Sequence, residues 1–131
     1  MAKRTIGGGL KGSEPNASFN ETIAEFGDVW SSRDGVSWQQ RVQRVSYPLR
    51  THFSVLGTPF GCVVSDGSVA RQYDVSNDLY IATDCEHFEP IANTPQQRRH
   101  ASSLVYFNGS LVLLGGPPTD SPGTEVWQYF P

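Results

Sequence analysis

Hydrophobic residues along the chain occur in short runs, and turns rich in glycine, proline and asparagine separate them. Two apolar runs, 100–107 and 110–114, flank Asn108-Gly109, a dipeptide whose positive φ angles suit a two-residue hairpin turn. Both runs are too apolar for a half-exposed sheet, so we expect inner strands that are buried on both faces.

A second pair of runs, 29–32 and 38–42, is more polar and alternates, as outer strands do. Arg33-Asp34-Gly35 joins the two runs and again predicts a hairpin. Many short strands with frequent turns predict an all-β fold, and the 13 Gly and 9 Pro of this 131-residue chain agree with it.

The chain contains an internal repeat. Segment 27–38 aligns with segment 77–88 without a gap, and a third copy begins at 124–127. The aligned positions are acids and aromatic residues: Asp28 with Asp78, Trp30 with Tyr80 and Trp127, Asp34 with Asp84, and Trp38 with Phe88. The spacing of about 50 residues is that of one propeller blade. We expect the aromatic residues at 30, 80 and 127 to pack between sheets.

A second repeated element alternates with the first. Segment 50–55 aligns with segment 98–103, 48 positions later, and a turn with glycine and an apolar run ending in glycine follow each copy. The double glycine Gly115-Gly116 ends one run, and residues 5–9 match the end of the same element. Such glycines let the backbone turn close to its neighbours.

These residues resemble a known motif. Arg99-His100, Asn108-Gly109, Gly115-Gly116 and Trp127 together are similar to the kelch repeat, and 32–38 resembles a shortened Asp-box turn of the sialidase type. The resemblance extends from Ile6 to Trp127 and implies a β-propeller of the galactose-oxidase central-domain type. The middle copy departs from the motif, because Asp66-Gly67 replaces the double glycine. The copper constellation of galactose oxidase does not map onto the chain, so we expect no cofactor.

The repeat predicts one propeller segment over residues 1–131, with approximate blades at 4–45, 49–92 and 97–131. The first blade has strands two to four, the second all four, and the third strands one to three, which gives ten strands. Propellers close with roughly four to eight blades, so this segment leaves blade faces and edges open. We therefore expect a fragment of a longer protein or a chain that other chains complete.

Charge and targeting signals exclude some function classes. The net charge of −3 gives no basic footprint for nucleic acid, and no apolar run approaches the ~20 residues of a membrane helix. The basic start precedes glycines rather than an apolar segment, so we predict no signal peptide. Sequons that begin at Asn16, Asn20 and Asn108 leave a secretory origin open.

Basic residues mark the start of the predicted first strands: Arg50, His52, Arg98, Arg99 and His100. Two interpretations stand side by side. The residues line a positive mouth that binds an acidic partner, or they bond the carbonyl groups of adjacent blades as part of the repeat. Their recurrence favours the second interpretation.

A long loop is predicted over 12–27, and long loops on rigid scaffolds often carry recognition. Phe19, Ile23 and Phe26 are its apolar residues and our candidate binding contacts.

Other chemistry has weaker signals. The three histidines have no metal-ligand spacing, so we expect no metal site. Asp34 and Asp84 occupy equivalent turns, where an aspartate caps backbone amides, and this favours turn capping over a pair of hydrolytic acids.

Cys62 and Cys85 lie near one end of the middle blade, where a disulfide bond would indicate an oxidising compartment. A small buried thiol is the alternative for Cys62.

The sequence therefore predicts a non-catalytic protein-interaction or scaffold module of the kelch-propeller type. Its partners are proteins that complete the propeller or dock on it. The alternative is a fragment of a secreted or surface carbohydrate-active propeller, sialidase-like or galactose-oxidase-like, with its catalytic residues outside this chain.

Overall fold

A computed structural model of the protein describes residues 4–11, 24–69, 74–117 and 125–129. Within these ranges all regular structure is β-strand, which confirms the all-β prediction. The strands of the described residues are β1 (Arg4–Lys11), β2 (Ala24–Ser32), β3 (Gln39–Val42), β4 (Arg50–Thr51), β5 (Ser54–Thr58), β6 (Gly61–Ser65), β7 (Ser68–Val69), β8 (Asp74–Val75), β9 (Leu79–Ala82), β10 (Glu89–Ile91), β11 (Ser103–Phe107), β12 (Ser110–Leu114) and β13 (Val126–Tyr129).

These strands form four small antiparallel sheets, and none of the sheets is closed. The first sheet has the order β1-β2-β3, the middle sheet β10-β9-β6-β5, and the last sheet β11-β12-β13. Their three, four and three strands equal the numbers that the repeat predicts. The two-residue strands β4, β7 and β8 form a separate small sheet, so the described strands exceed the ten expected.

Residues with positive φ angles shorten the predicted first strands. His52 (φ 53°) separates β4 from β5, and Ala101 (φ 52°) occupies the equivalent position ahead of β11. The left-handed conformation costs a non-glycine residue about 1–2 kcal/mol, which the surrounding contacts must offset. One such contact joins the two kinks, because the Ala101 N–H donates to the His52 carbonyl at 2.7 Å.

The hairpin between β11 and β12 follows the dipeptide chemistry. Asn108 (φ 48°) and Gly109 (φ 82°) both adopt positive φ angles, as a type I′ turn requires. Phe107 therefore pairs with Ser110 across the turn.

The middle sheet is buried on both faces because a neighbouring sheet packs on each. Val64 on one face belongs to a core with Val29 of the first sheet. Val63 on the opposite face belongs to a core with Leu104 and Leu113 of the last sheet. Burying one such side chain fully contributes about 1.5–3 kcal/mol, so these two layers hold the three sheets together.

The repeated aromatic residues do not share one environment. Tyr80 and Trp127 pack against the two cores, but Trp30 is 38% exposed. Trp38 is 37% exposed, whereas its counterpart Phe88 is buried. The expectation that Trp30 packs between sheets is therefore wrong, because no described sheet covers that face of the first sheet.

Candidate functional site

Arg50 lies in β4 with a side chain that is fully buried. Its Nη1 and Nη2 atoms donate to the two carboxylate oxygens of Asp78 at 2.6 and 3.0 Å. Nη1 also donates to the Asp66 carbonyl at 2.8 Å, and Nε donates to the Pro48 carbonyl at 3.1 Å. We call this arrangement of one guanidinium, two carbonyl groups and one acid an arginine fork.

Arg99 builds a second arginine fork between β12 and β13. Its Nε atom donates to the Gln97 carbonyl at 3.1 Å, and Nη1 donates to the Gly115 carbonyl at 2.8 Å. Its Nη2 atom donates to the Glu125 carboxylate at 2.6 Å. Both arginines reach the carbonyl two residues before them and the carbonyl 16 residues after them. The forks are thus equivalent parts of the repeat, and Arg50 corresponds to Arg99 rather than to Arg98, so the alignment of 50–55 with 98–103 is wrong by one position.

Each fork also contacts the aromatic residue that lies two positions after its acid. The Trp127 indole N–H donates to Glu125 at 2.9 Å, and the Tyr80 ring centre lies 5.3 Å from the Arg50 guanidinium carbon. In the first sheet the Trp30 indole N–H donates to Asp28 at 2.7 Å. Among the side chains that the structure describes, no arginine pairs with Asp28. Within the described residues, the first sheet therefore has the acid and the aromatic residue of a fork without a cation.

The acids of the two forks are charged at neutral pH. Burial raises the pKa of Asp78, but the hydrogen bonds and the charge of Arg50 outweigh burial and leave the pKa below its ordinary value. Hydrogen bonds from Trp127 and then from Arg99 lower the pKa of Glu125. Each fork is therefore an ion pair.

The segment that begins with the fork arginine passes close over a glycine in both sheets. A Cβ atom on Gly67 (φ 99°) would lie 2.8 Å from the Thr51 carbonyl oxygen. A Cβ atom on Gly116 (φ 85°) would lie 2.7 Å from the His100 carbonyl oxygen. Thr51 and His100 each follow the fork arginine directly. Glycine is required at both positions by the approach and by the backbone conformation.

A buried carboxyl group lies beside the two forks. Asp66 is fully buried, its Oδ2 atom accepts a hydrogen bond from Ser102 at 2.8 Å, and its Oδ1 atom has no partner among the described residues. Burial raises the pKa of Asp66. Ser65 Oγ and His100 Nδ1 are likewise buried without a partner in the described ranges.

The predicted binding residues separate into two groups. Arg50 and Arg99 are 1% and 2% exposed and bond carbonyl and carboxylate groups within the chain, so neither guanidinium is accessible to an external acid. Their contacts are architectural, but the carbonyl groups of Asp66 and Gly115 belong to the same predicted blade as the arginine that bonds them, and not to an adjacent blade as expected. His52 and Arg98 are exposed, and His100 is half-buried with its ring centre 6.1 Å from that of His52.

The long loop is described only in part. β2 begins at Ala24, so the last residues of the predicted loop are strand, and Phe26 lies in that strand with 44% exposure. Phe19 and Ile23, like the sequon residues Asn16 and Asn20, lie outside the described residues.

The equivalent aspartates lie in hairpin turns. Asp34 accepts hydrogen bonds from the N–H groups of Val36 and Ser37, each at 2.8 Å, and Asp84 accepts two from Glu86 and His87 at the same distance. These bonds hold the pKa of both carboxyl groups well below the ordinary range. Both carboxylates cap their own turns.

A disulfide bond joins Cys62 at the start of β6 to Cys85 in the turn after β9, with a Cα–Cα distance of 5.0 Å. It ties an inner strand of the middle sheet to the turn that leads to β10.

The last sheet has one exposed apolar face. We call it the apolar end face, and its exposed members are Val105, Phe107, Leu114 and Val126. By strand register Val126 corresponds to Leu79 of the middle sheet. Leu79 is fully buried, whereas Val126 is 64% exposed. The same sheet position is therefore core in one sheet and surface in the next.

Sequence reasoning missed the acids of the forks and the apolar end face. The signal for Asp78 was present, because it aligns with Asp28 in the repeat, but its arginine is 28 residues away and only the fold brings them together.

The described part of the chain contains no group of three or more potential metal-ligating side chains. It also contains no helix of the length and apolarity needed to cross a membrane.

The chain matches no protein-family model, and a search among curated proteins finds no similar sequence. The kelch resemblance thus rests on the internal repeat alone.

Proposed function

We propose that this chain is a non-catalytic protein-interaction module of the kelch-propeller type, and that another polypeptide covers its open sheets. The observation that carries the proposal is the apolar end face. An exposed apolar surface rimmed by polar residues is typical of a protein interface, and the equivalent face of the middle sheet is already covered by a sheet of the same repeat.

The repeated contacts support stacking as the mode of association. The two arginine forks repeat the same bonds in the middle and last sheets, and these two sheets pack on each other through the core of Val63, Leu104 and Leu113. A partner that offers a face like that of the last sheet, with residues in the positions of Leu104, Leu113 and Trp127, would fit the apolar end face in the same way.

The acids considered for catalysis have structural roles. Asp34 and Asp84 each cap two backbone amides. Their equivalent positions in successive turns are a feature of the repeat, which supports binding as the function.

Light scattering on the species purified under native conditions tests this function. We expect a mass above the 14.4 kDa of one chain, and we expect Val126→Asp to reduce it to that of a single chain. Val36→Asp is the matched control, because Val36 is 83% exposed in a turn outside the apolar end face. A folded wild-type species of 14.4 kDa, or a Val126→Asp species that keeps its full mass, would contradict the proposal.

Two observations favour the alternative of a secreted carbohydrate-active propeller. The Cys62–Cys85 disulfide bond is typical of an oxidising compartment, and the exposed Asn108 belongs to a sequon. Expression through a secretory pathway tests this second candidate, with Asn108→Gln expected to lower the mass by one glycan and oligosaccharides expected to bind.

A further inference from the structure

The first sheet contains an incomplete arginine fork. Asp28 occupies the position of Asp78 and Glu125, and Trp30 occupies the position of Tyr80 and Trp127. The two complete forks each hold a buried guanidinium, whereas Asp28 has only the Trp30 indole as its described side-chain partner. An exposed tryptophan beside an acid is a favourable surface for a guanidinium group.

Strand register shows where the cation belongs. Ile6 pairs with Trp30 as Val64 pairs with Tyr80 and Leu113 with Trp127. Counted two positions further along β1, Gly8 is equivalent to Asp66 and Gly115, and the pairing of β1 with β2 shifts by one residue at this point, between Gly7 and Gly9. The carbonyl groups of Asp66 and Gly115 accept the Nη1 hydrogen bonds of the two forks.

The next position along the strand is a glycine in all three sheets. Gly9 is equivalent to Gly67 and Gly116, over which the arginine-bearing segments pass. An acid, a carbonyl position and a glycine that admits a close backbone are thus three separate parts of one site.

The edge of the first sheet is open at this site. In the described ranges β1 pairs only with β2, whereas the equivalent strands β6 and β12 pair on both sides. An unpaired edge presents backbone donors and acceptors in a row and accepts an added strand.

We propose that the β1 edge receives an extended, arginine-bearing segment of a separate polypeptide, which pairs antiparallel with β1 and places its guanidinium on Asp28. This inference rests on the proposed function and names the chemistry of the partner. Arginine is chosen over lysine because a planar guanidinium binds a carboxylate and a carbonyl at once. In this chain Arg50 lies four residues before Ser54, the first residue of β5, and Arg99 lies four residues before Ser103, the first residue of β11. We assign the same spacing to the arginine of the partner and the strand that follows it.

A synthetic peptide with the sequence of residues 96–107 is the probe, because it contains Arg99 and the strand that follows it. We expect saturable binding to the wild-type protein and a shift of the Trp30 indole N–H signal in NMR spectra, with Trp30→Phe identifying the signal. Asp28→Asn should weaken binding about tenfold or more, as expected for a lost charge-assisted hydrogen bond. The peptide with lysine in place of Arg99 should lose a similar factor.

Glu89→Gln is the matched control, because it removes one negative charge from an exposed position on β10. It should bind the peptide as the wild type does. Equal binding by Asp28→Asn, equal binding of the lysine peptide, or no binding at all would overturn the inference. Self-association of the wild type that Asp28→Asn abolishes would assign the edge to a second copy of this chain and would also overturn it.

The two proposals fail separately. A native species heavier than one chain, together with a peptide whose binding does not depend on Asp28, would refute this inference and leave the proposed function unaffected. A native species of one chain, together with a peptide that binds through Asp28, would refute the apolar end face as an interface.

Discussion

The middle sheet and the last sheet share one strand pattern and one arginine fork, but their surroundings differ. Leu79 of the middle sheet is completely buried because the last sheet covers it, and Val126 at the same position of the last sheet is mostly exposed. The forks differ as well, since Arg50 bonds both oxygens of Asp78 and Arg99 bonds one oxygen of Glu125. The position within the repeat determines the type of residue. Whether a neighbouring sheet covers that residue determines how much it contributes to the free energy of unfolding.

The largest effect should come from the two forks. Arg50→Ala leaves Asp78 part-buried without its cation, and breaking a buried ion pair in this way costs about 3–5 kcal/mol. Arg99→Ala should cost less, because Glu125 is more exposed and is joined by a single bond. Urea unfolding of both variants measures the difference.

The double variant Arg50→Ala with Asp78→Asn is the control for this comparison. It should recover part of the lost free energy of unfolding, because no charge remains stranded. An Arg50→Ala variant as stable as Arg99→Ala would show that the second hydrogen bond from Arg50 to the Asp78 carboxylate contributes nothing to the free energy of unfolding.

A smaller difference in the free energy of unfolding should distinguish the covered face of the middle sheet from the apolar end face of the last sheet. Leu79→Ala should lower the free energy of unfolding by about 3 kcal/mol, as expected for a buried leucine that leaves a cavity. In the single chain without a partner, Val126→Ala should change it by less than about 0.5 kcal/mol, as for an ordinary surface substitution.

The pair Val63→Ala and Val112→Ala repeats the test with one residue type at equivalent positions, buried in the middle sheet and half-buried in the last. Equal losses within either pair would mean that the apolar end face is covered in solution.

The smallest effect should be a difference in pH dependence. Asp66 of the middle sheet has a raised pKa from burial, and its counterpart Gly115 does not titrate. Its stabilising contribution is present below the ordinary carboxyl pKa of about 4 and is lost as pH rises through the raised value. The stability of Asp66→Asn relative to the wild type should therefore rise with pH over that interval in urea unfolding series.

Asp84→Asn gives the opposite sign and serves as control. The pKa of Asp84 is lowered by its turn amides, so its contribution is present above about pH 4 and is lost as pH falls. A wild type and an Asp66→Asn variant with parallel pH profiles would contradict the raised pKa.

Much of the strand arrangement could be predicted because its signals are local. Asn108-Gly109 encodes its hairpin through two positive φ angles, and Asp34 encodes its turn through nearby amides. The adjacency of two turns at one end of a four-stranded sheet left the pairing of Cys62 with Cys85 open beside a buried thiol, and the structure contains the disulfide bond.

The rest depends on contacts between distant segments. The repeat showed Arg50 and Asp78 separately, but their bond across 28 residues exists only in the folded chain. The kink at His52 is equally hidden, because a positive φ is uncommon for any residue other than glycine and the Ala101 N–H, from a distant segment, helps to hold it there. Trp30 looked like a core residue because its counterparts are core residues.

The two ends of the stack of sheets also differ in chemistry. One end presents Trp30 and the acid Asp28, and the other presents Val105, Leu114 and Val126. Identical ends would allow two copies to meet about a twofold axis, but unlike ends favour heterologous, head-to-tail contacts. Association that continues the stacking order therefore has a direction. A ligand that binds one end leaves the other end able to bind a further sheet.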